Sequence, residues 1–519
     1  MTTRLPILLW IASAAAQSLQ VQNFAAPSAG VAPGTIIDVY NFEQGVPDSP
    51  NPSRVTLQFQ PRGSTQVYTA QTLATLPGGL VRGIVPYDLP VGVADFKMTI
   101  AGFSYPPVTV TVQPSAMGLF TSSGYGLGPA LAQNDGAGPP SLNQLTNPAR
   151  PGQYITLWGT GLGNVTTADV AVEVGGELAP ASFAGHAPGL AGVDQINFVL
   201  PADAPGGCYV PLAVHAAGSD SNGVTIATSL SGEPCSHPLG LTQDQLRTLD
   251  HGGAVAAGSV TMGSGTDQGA GNPFSGFIRS DFFQADFRQR DAFEMFLLAG
   301  TQTTVAPSSC VVLNLGVEAF FAGVFSFLPG SAAGSVLTLT GPAGQRADIT
   351  SPFAGEYLWT RQSGPLGSLS ALPASFFSAG AWQIAAGGDG VIGPFQQSFS
   401  LPPPLHWINR TSLATFSRDS DATVLWDPAG YSATDVVALR LLVGSPDFVA
   451  IQCLTPAQAG QTVLPKALLQ QLTPDPAASL YLFLTSGTRK FFSVPGAEGG
   501  SMPALFDYQF SETAVVAVR

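Results

Sequence analysis

The sequence predicts an all-β chain, a series of small β-sandwiches with few short helices, and three observations carry that expectation. The first is an internal echo. Ala32-Pro33-Gly34-Thr35-Ile36-Ile37-Asp38-Val39-Tyr40 and Arg150-Pro151-Gly152-Gln153-Tyr154-Ile155-Thr156-Leu157-Trp158 share a Pro-Gly turn and alternating apolar residues that end in an aromatic, and their glycines lie 118 positions apart. A second phrase follows each, Val85-Pro86-Tyr87-Asp88-Leu89-Pro90 and Leu200-Pro201-Ala202-Asp203-Ala204-Pro205, offset by 115. Two landmarks at nearly one spacing mark a duplicated unit. The second observation is punctuation: 60 Gly and 44 Pro in 519 residues bracket nearly every apolar run, while 45% hydrophobic content is ample for cores. The third is period. Val55-Thr56-Leu57-Gln58-Phe59-Gln60 alternates strictly, as a strand with one buried face does.

Taken in order, Arg4, the apolar run Leu5–Ala12 and Ser13-Ala14-Ala15-Ala16 read as a secretory signal peptide over residues 1–16, with Gln17 as the mature start. The apolar run is too short to span a bilayer, and no later stretch has 18 uninterrupted apolar residues. Residues 17–115 form the first repeat, with strands expected at Thr35–Tyr40, Val55–Gln60, Gln66–Ala70, Leu80–Val85, Phe96–Ile100 and Val108–Val112. Residues 116–147 connect the copies. The second repeat, 148–235, holds strands at Tyr154–Trp158, Val170–Val174, Gln195–Leu200, Tyr209–His215 and Gly223–Thr228, with Gly175-Gly176 as a hairpin turn. Asp88 and Asp203 recur just after the shared proline, where an acid caps a local turn.

These residues also carry a resemblance. Asn147–Gly163, Val172-Glu173-Val174-Gly175-Gly176, Phe183–Gly189, Asp194–Pro201 and Gly207–Leu212 resemble the Ig-like (TIG-like) domain family found in exported proteins of Solibacter-type soil acidobacteria. Pro114–Thr121 is similar to that family's entry into its second unit. The likeness covers about residues 22–235. It implies an Ig-like sandwich and secretion, and it supplies no catalytic residues to carry over. The first repeat departs from it: Asn41-Phe42-Glu43-Gln44-Gly45 stands where the second has Gly159-Thr160-Gly161-Leu162-Gly163. The expected fold class is therefore tandem Ig-like β-sandwiches followed by one or two further β-sandwich domains.

In the C-terminal half, Leu241–His251 reads as a helix with Thr242 as N-cap and Gly252-Gly253 as the stop. Strands are expected at Cys310–Leu315, Ser335–Thr340, Glu356–Thr360, Ala381–Ala385, Gln396–Leu401, Ala422–Trp426, Val436–Val443 and Leu480–Thr485. Pro465–Leu472 reads as a short helix. Pro402-Pro403-Pro404 is a stiff break, dividing a β-rich domain over 236–401 from a β-sandwich over 402–519.

Composition excludes several functions. A net charge of −14 with three lysines (Lys97, Lys466, Lys490) offers no basic face for nucleic acid or anionic membrane. Four cysteines without Cys-x-x-Cys fit structural disulfides in an oxidising compartment. Three pairings are possible; Cys208–Cys235 with Cys310–Cys453 keeps one bridge at the end of the second repeat and one in the C-terminal half. No Gly-x-Ser-x-Gly occurs, and His186, His215, His237, His251 and His406 are scattered without a local partner. No His-Glu-x-x-His or EF-hand loop is present; Asp419-Ser420-Asp421 and Gly388-Asp389-Gly390 could supply calcium oxygens but more commonly form turns. Gly124-x-Gly126-x-Gly128 lacks the Lys-Ser/Thr pair of a phosphate loop.

The densest acids, Asp281, Asp286, Asp291 and Glu294, could serve a glycosidase; with Arg279, Arg288 and Arg290 among them they read as a solvated, salt-bridged face. Trp359, Trp382, Trp407 and Trp426, beside Tyr357 and Phe395, are candidate ligand aromatics for stacking on sugars. Catalytic, cofactor and metal residues are expected to be none. The leading reading is a secreted, non-enzymatic scaffold (extracellular, cell-surface or periplasmic) whose partner is an unidentified extracellular protein or polysaccharide. A carbohydrate-binding protein using the C-terminal aromatics is the alternative, and a secreted hydrolase with an unrecognised carboxylate site is the third reading.

Overall fold

The computed structural model describes residues 19–519 apart from 27–29, 41–50, 77–79, 137, 232, 269–276, 301–307, 315–331, 352–354, 368–374, 390, 414, 434, 444–448, 471, 473–474 and 497–499. The expected signal segment 1–16 and the phrase Asn41–Gly45 lie outside the described residues. The fold is all-β, with tandem sandwiches, and it divides into two compact units whose main boundary is Glu233/Pro234, with two short later segments, 312–320 and 445–449, grouped with the first.

The first unit holds both repeats. The first is built from β1 (Gln20–Asn23), β2 (Ile36–Tyr40), β3 (Val55–Pro61), β4 (Tyr68–Leu76), β5 (Leu80–Ile84), β6 (Gly92–Ile100), β7 (Phe103–Ser104) and β8 (Val108–Val112). The second uses β9 (Gly118–Leu119), β10 (Ala132–Asp135), β11 (Ser141–Leu142), β12 (Tyr154–Thr160), β13 (Val170–Val174), β14 (Glu177–His186), β15 (Asp194–Val199), β16 (Gly207–Ala216), β17 (Ser219–Asp220) and β18 (Val224–Thr228). The hydrogen-bonded path β2-β5-β4-β3-β6 recurs as β12-β15-β14-β13-β16, with β8 and β18 each added to the last strand. One pairing order used twice is what a duplication leaves. In both copies one strand turns the corner between layers. Residues 68–70 of β4 pair with β3 and 71–76 with β5; residues 177–180 of β14 pair with β13 and 181–186 with β15. Each corner strand carries a bulge where it changes partner, which supplies the bend.

Alternation sets each core. Leu57 and Phe59 are fully buried beside Phe96 and Met98, while Thr56 is exposed and Gln58 between them half-buried. In the second copy the matching strands β13 and β16 bury Val172, Val174, Leu212 and Val214. β14 escaped sequence reading because Pro180 and Gly185 interrupt its pattern; Pro180 sits where the strand changes layers.

The second unit opens with helix α1 (Gln243–Asp250), and Thr242 and Gln245 close a capping box at its start. Its strands are β19 (Val255–Gln268), β20 (Phe277–Arg290), β21 (Ser309–Asn314), β22 (Val336–Thr340), β23 (Arg346–Thr350), β24 (Glu356–Gly367), β25 (Gly380–Ala386), β26 (Phe395–Leu401), β27 (Thr415–Phe416), β28 (Ala422–Leu425), β29 (Val436–Val443), β30 (Val449–Pro456), β31 (Gln461–Leu464), β32 (Asp475–Pro495) and β33 (Ser501–Val518). A second helix, α2 (Ala292–Gly300), follows β20. One sheet runs β21-β30-β29-β32-β33-β19-β20-β24, with β27 on β33; β23-β22-β25-β26 form a second sheet, and β28 with β31 a third.

The division expected at residues 401/402 is corrected here. β33 pairs in parallel with β19 from Gly258↔Ala504 to Thr266↔Glu512, so strands from both sides of Pro402-Pro403-Pro404 share one sheet. The prolines only end β26. The second sheet packs on the first through Phe399, which stacks on Phe506 with ring centroids 3.7 Å apart and meets Phe492 edge-on. Cys310 and Cys453 are bonded, Cα–Cα 4.0 Å, and Cys208 and Cys235 are disulfide-bonded too.

Candidate functional site

Three of the four tryptophans expected to meet a ligand belong to the core, and the fourth, Trp359, is half-buried. Trp382, Trp407 and Trp426 are no more than 3% exposed. Each indole N–H has a partner inside the protein: Ser378 O at 2.9 Å, Asn409 Oδ1 at 3.1 Å and Ala457 O at 2.7 Å. Trp359 is half-buried against Phe376 (4.9 Å) and Phe377 (6.0 Å). A tryptophan is the largest side chain available to fill a sandwich, and burial is stable once its single donor is satisfied. The flanking Tyr357 is buried as well, donating to Gly334 O and accepting from Ala333 N at 2.8 Å. No coplanar aromatic strip is formed by these residues.

The carboxylate group also changes character. Asp281 and Asp286 lie five apart on β20 and therefore on opposite faces. Asp281, 3% exposed, accepts from Ser264 Oγ (2.6 Å), Ser375 Oγ (2.9 Å) and Phe376 N (3.0 Å), tying a loop to the sheet. Asp286 is paired with Arg290 and Arg288, and Arg288 reaches Glu294 at 3.2 Å. Asp291 and Glu294 exchange backbone-to-carboxylate bonds, the reciprocal box that starts α2. Asp286 and Glu294 are salt-bridged as expected, and Asp281, Arg290 and Glu294 are buried rather than solvated, while Asp291 is exposed. Each acid is committed to a structural bond, and none faces another across a cleft. Asp389 Oδ1 accepts from Val391 N, and Asp421 Oδ1 from Lys466 N at the start of the short helix Lys466–Leu469. Both acids thus serve turns and caps.

Two histidines have partners that the sequence hides. His215 on β16 sits between Asp220 (2.6 Å) and Glu173 (3.2 Å), which raise its pKa to about 9 and hold it as imidazolium at neutral pH. A ring clamped at both nitrogens is no general base. His186 lies 2.6 Å from Asp194, whose carboxylate raises the imidazole pKa. His237 is the opposite case. Burial pushes its pKa down to about 4, and Nδ1 accepts from Leu239 N at 3.1 Å, which fixes the neutral tautomer. Its folded value lies below the unfolded 6.5, so between the two the unfolded chain binds a proton that the folded chain refuses. Stability is then full above pH 6.5 and declines as pH falls toward 4, by about 3 kcal/mol in total. His237→Asn, which keeps an acceptor near Nδ1, is expected to flatten that limb; urea titrations at pH 7 and 4.5 would measure it, and an unchanged slope would refute the assignment.

What the first unit builds with care is the joint between its repeats. Gly159-Thr160-Gly161-Leu162-Gly163 leaves β12 beneath the connecting segment, and Ala116 N donates to Gly161 O at 2.8 Å. A Cβ on Gly159 would overlap the Gly118 carbonyl oxygen, on Gly161 that of Ala116, and on Gly163 that of Pro114. Gly161 and Gly163 also take φ of +87° and +76°. The phrase is thus a glycine track on which the connector lies. Around it the repeats lock. Thr160 Oγ1 donates to Gly192 O (2.6 Å) and accepts from Ile36 N (2.7 Å). Tyr87 Oη accepts from Gly192 N (2.7 Å), and its ring meets His186 edge-on at 4.5 Å. Asn23 Nδ2 donates to Ala116 O (2.8 Å), and Asn164 Nδ2 to Tyr87 O (3.0 Å). Asp194, fully buried, accepts from Leu162 N (2.7 Å) and faces His186; burial pushes its pKa up against those bonds. Only one signal in the sequence pointed here, the glycine phrase present in the second repeat and absent from the first.

No family model matches this chain, and no curated protein matches it. Among solved structures it is similar to a Bacteroides ovatus mixed-linkage glucan utilization locus protein, SGBP-B, in complex with a mixed-linkage heptasaccharide (10% identity, covering 86% of this chain and 93% of that one, TM-score 0.15). It is similar to the S-layer protein rSbsC(31-844) at 10% identity, covering 92% of this chain and 53% of that one, TM-score 0.17. Sidekick-1 immunoglobulin domains 1–4 match at 11% identity over 97% of this chain and all of that one, TM-score 0.11. The all-β sandwich architecture rests on this chain's own strand pairing.

Proposed function

We propose that this chain is a secreted, non-enzymatic scaffold whose first two Ig-like modules are docked as one rigid element. The observation that supports this is the joint: polar bonds, buried at Thr160 and Asn23, part-buried at Tyr87 and exposed at Asn164, reach across the repeats and their connector, and glycines admit the connector at backbone distance. Flexible tethering needs none of these, and each buried donor left unmade would cost about 1–3 kcal/mol. Commitment of the carboxylates and of His215 to structural bonds argues for presentation of surfaces in place of bond chemistry. Two disulfides fit an oxidising compartment, and kinship with the exported Solibacter-type Ig-like family belongs to the same proposal. Among the described residues no helix is long and apolar enough to cross a membrane.

Rigidity is directly measurable. Every described cysteine is disulfide-bonded, so spin labels at Thr65→Cys and Glu177→Cys attach selectively. Pulsed electron resonance is expected to give one narrow distance distribution in the wild type and a broadened one when Tyr87→Phe and Thr160→Val are added. A broad wild-type distribution would end the rigid-element reading.

A further inference from the structure

The outward face of the β11-β10-β12-β15-β14 layer in the second module carries aromatic and uncharged polar side chains together. Tyr154, Thr156 and Trp158 alternate with Ile155 and Leu157 and point away from the hydrophobic core; Thr156 is itself only 3% exposed, covered by its neighbours on that face. Register places Gln195, Asn197 and Val199 opposite Trp158, Thr156 and Tyr154, Asp135 beside Tyr154, and Phe183 beside Asn197. Tyr154 is 55% exposed and Phe183 39%, and Trp158 is half-buried. The Phe183 ring lies over Gly185, where a Cβ would come within 3.4 Å of it.

Between the aromatics runs an ordered polar row. Thr156 Oγ1 donates to Asp135 Oδ2 at 2.5 Å and lies 3.2 Å from Asn197 Oδ1, which also accepts from Gln195 Nε2 at 2.9 Å. The arrangement inverts that of a protein–protein interface, which has an apolar centre and a polar rim. Here amides, a hydroxyl and a carboxylate form the centre, and rings stand at the margins. Tyr154 and Trp158 are about 13 Å apart along the strand, and Phe183 lies two strands, about 10 Å, from Thr156. No lysine or arginine is among these residues, so an anionic ligand has no counter-charge.

We propose that this face binds a neutral polysaccharide chain, its pyranose C–H surfaces stacking on Tyr154, Trp158 and Phe183 and its hydroxyls meeting Asn197, Gln195 and Asp135. The polar row is held by its own hydrogen bonds before any ligand arrives, which reduces the ordering cost of binding. The site goes beyond the scaffold reading and does not depend on it: a rigid pair of modules that binds no sugar, and a flexible pair that does, are distinguishable results. It also moves sugar contact from the C-terminal tryptophans to the second repeat.

The test is affinity electrophoresis of the full chain in gels containing a mixed-linkage β-glucan, xyloglucan, arabinoxylan or galactomannan, with alginate as an anionic control. Retardation by at least one neutral polymer and not by alginate is expected. Tyr154→Ala with Phe183→Ala is expected to weaken that retention at least tenfold with an unchanged melting temperature, and Asn197→Ala to weaken it separately. Absence of retention in every neutral polymer would overturn the proposal, as would full retention by the double variant. Self-association of the wild type that the same substitutions abolish, without sugar retention, would overturn it in favour of a protein-binding face.

Discussion

Replacing Cys310 and Cys453 together by alanine is expected to lower the melting transition of the second unit by roughly 10–20 °C and to leave that of the first unit in place. The bond closes a loop of 143 residues, and cross-linking a loop of that length removes about 5 kcal/mol of unfolded-chain entropy on the loop-closure model. Between the two cysteines the chain builds β22–β26, of which β24 lies at the far edge of the large sheet, and comes back to that sheet through β27, β29 and β30. Without the bond, β21 is an edge strand held only by its pairing with β30, and the excursion has no covalent anchor. Calorimetry of the oxidised variant is the measurement. A shift of the second transition below about 3 °C would mean that the unfolded chain gains little freedom and that the sheet alone holds the loop.

Gly163→Ala should destabilise the first unit by about 3–4 kcal/mol, and Gly161→Ala by a similar amount. Two costs add at Gly163: a left-handed backbone that an L side chain resists by about 1–2 kcal/mol, and a methyl group driven into the Pro114 carbonyl oxygen. Gly152 separates them. Its φ of +79° is nearly the same, but nothing lies within 4 Å of an added Cβ, so Gly152→Ala is expected to cost only about 1–2 kcal/mol. Chemical denaturation of the three variants would show whether the difference exists. Equal losses at Gly152 and Gly163 would mean that the connector does not bear on the glycine track.

The reading of the chain from residues succeeded where the determining physics is local. Strict alternation placed β3, the Pro-Gly turns placed β2 and β12, Gly175-Gly176 placed the β13–β14 hairpin, and Thr242 marked the start of α1. It failed where partners are remote. β19, β20, β32 and β33 are 14 to 21 residues long and were missed in whole or in part; a strand covered on both faces loses its alternation. β33 shows this: Met502 to Tyr508 are buried without interruption. α2, with Met295, Phe296, Leu298 and Ala299 all buried, likewise carries no polar stripe to betray its period.

The sites divide in the same way. Tryptophans and acids attract attention as residue types, yet whether an indole fills a core or a carboxylate meets a sugar depends on what lies across the sheet. Asp281 finds Ser375, 94 positions away, and His215 finds Glu173, 42 away; neither distance is written in either neighbourhood. By itself the sequence determined that two homologous sandwiches stand in tandem, because turns and alternation are set by neighbours along the chain. Only the tertiary structure decided that a five-residue glycine phrase is the bed of a joint, that three of the four C-terminal tryptophans are core, and that Tyr154, Trp158 and Phe183 ring a polar row. Those outcomes depend on which surfaces meet, and surfaces are assembled from strands far apart in sequence.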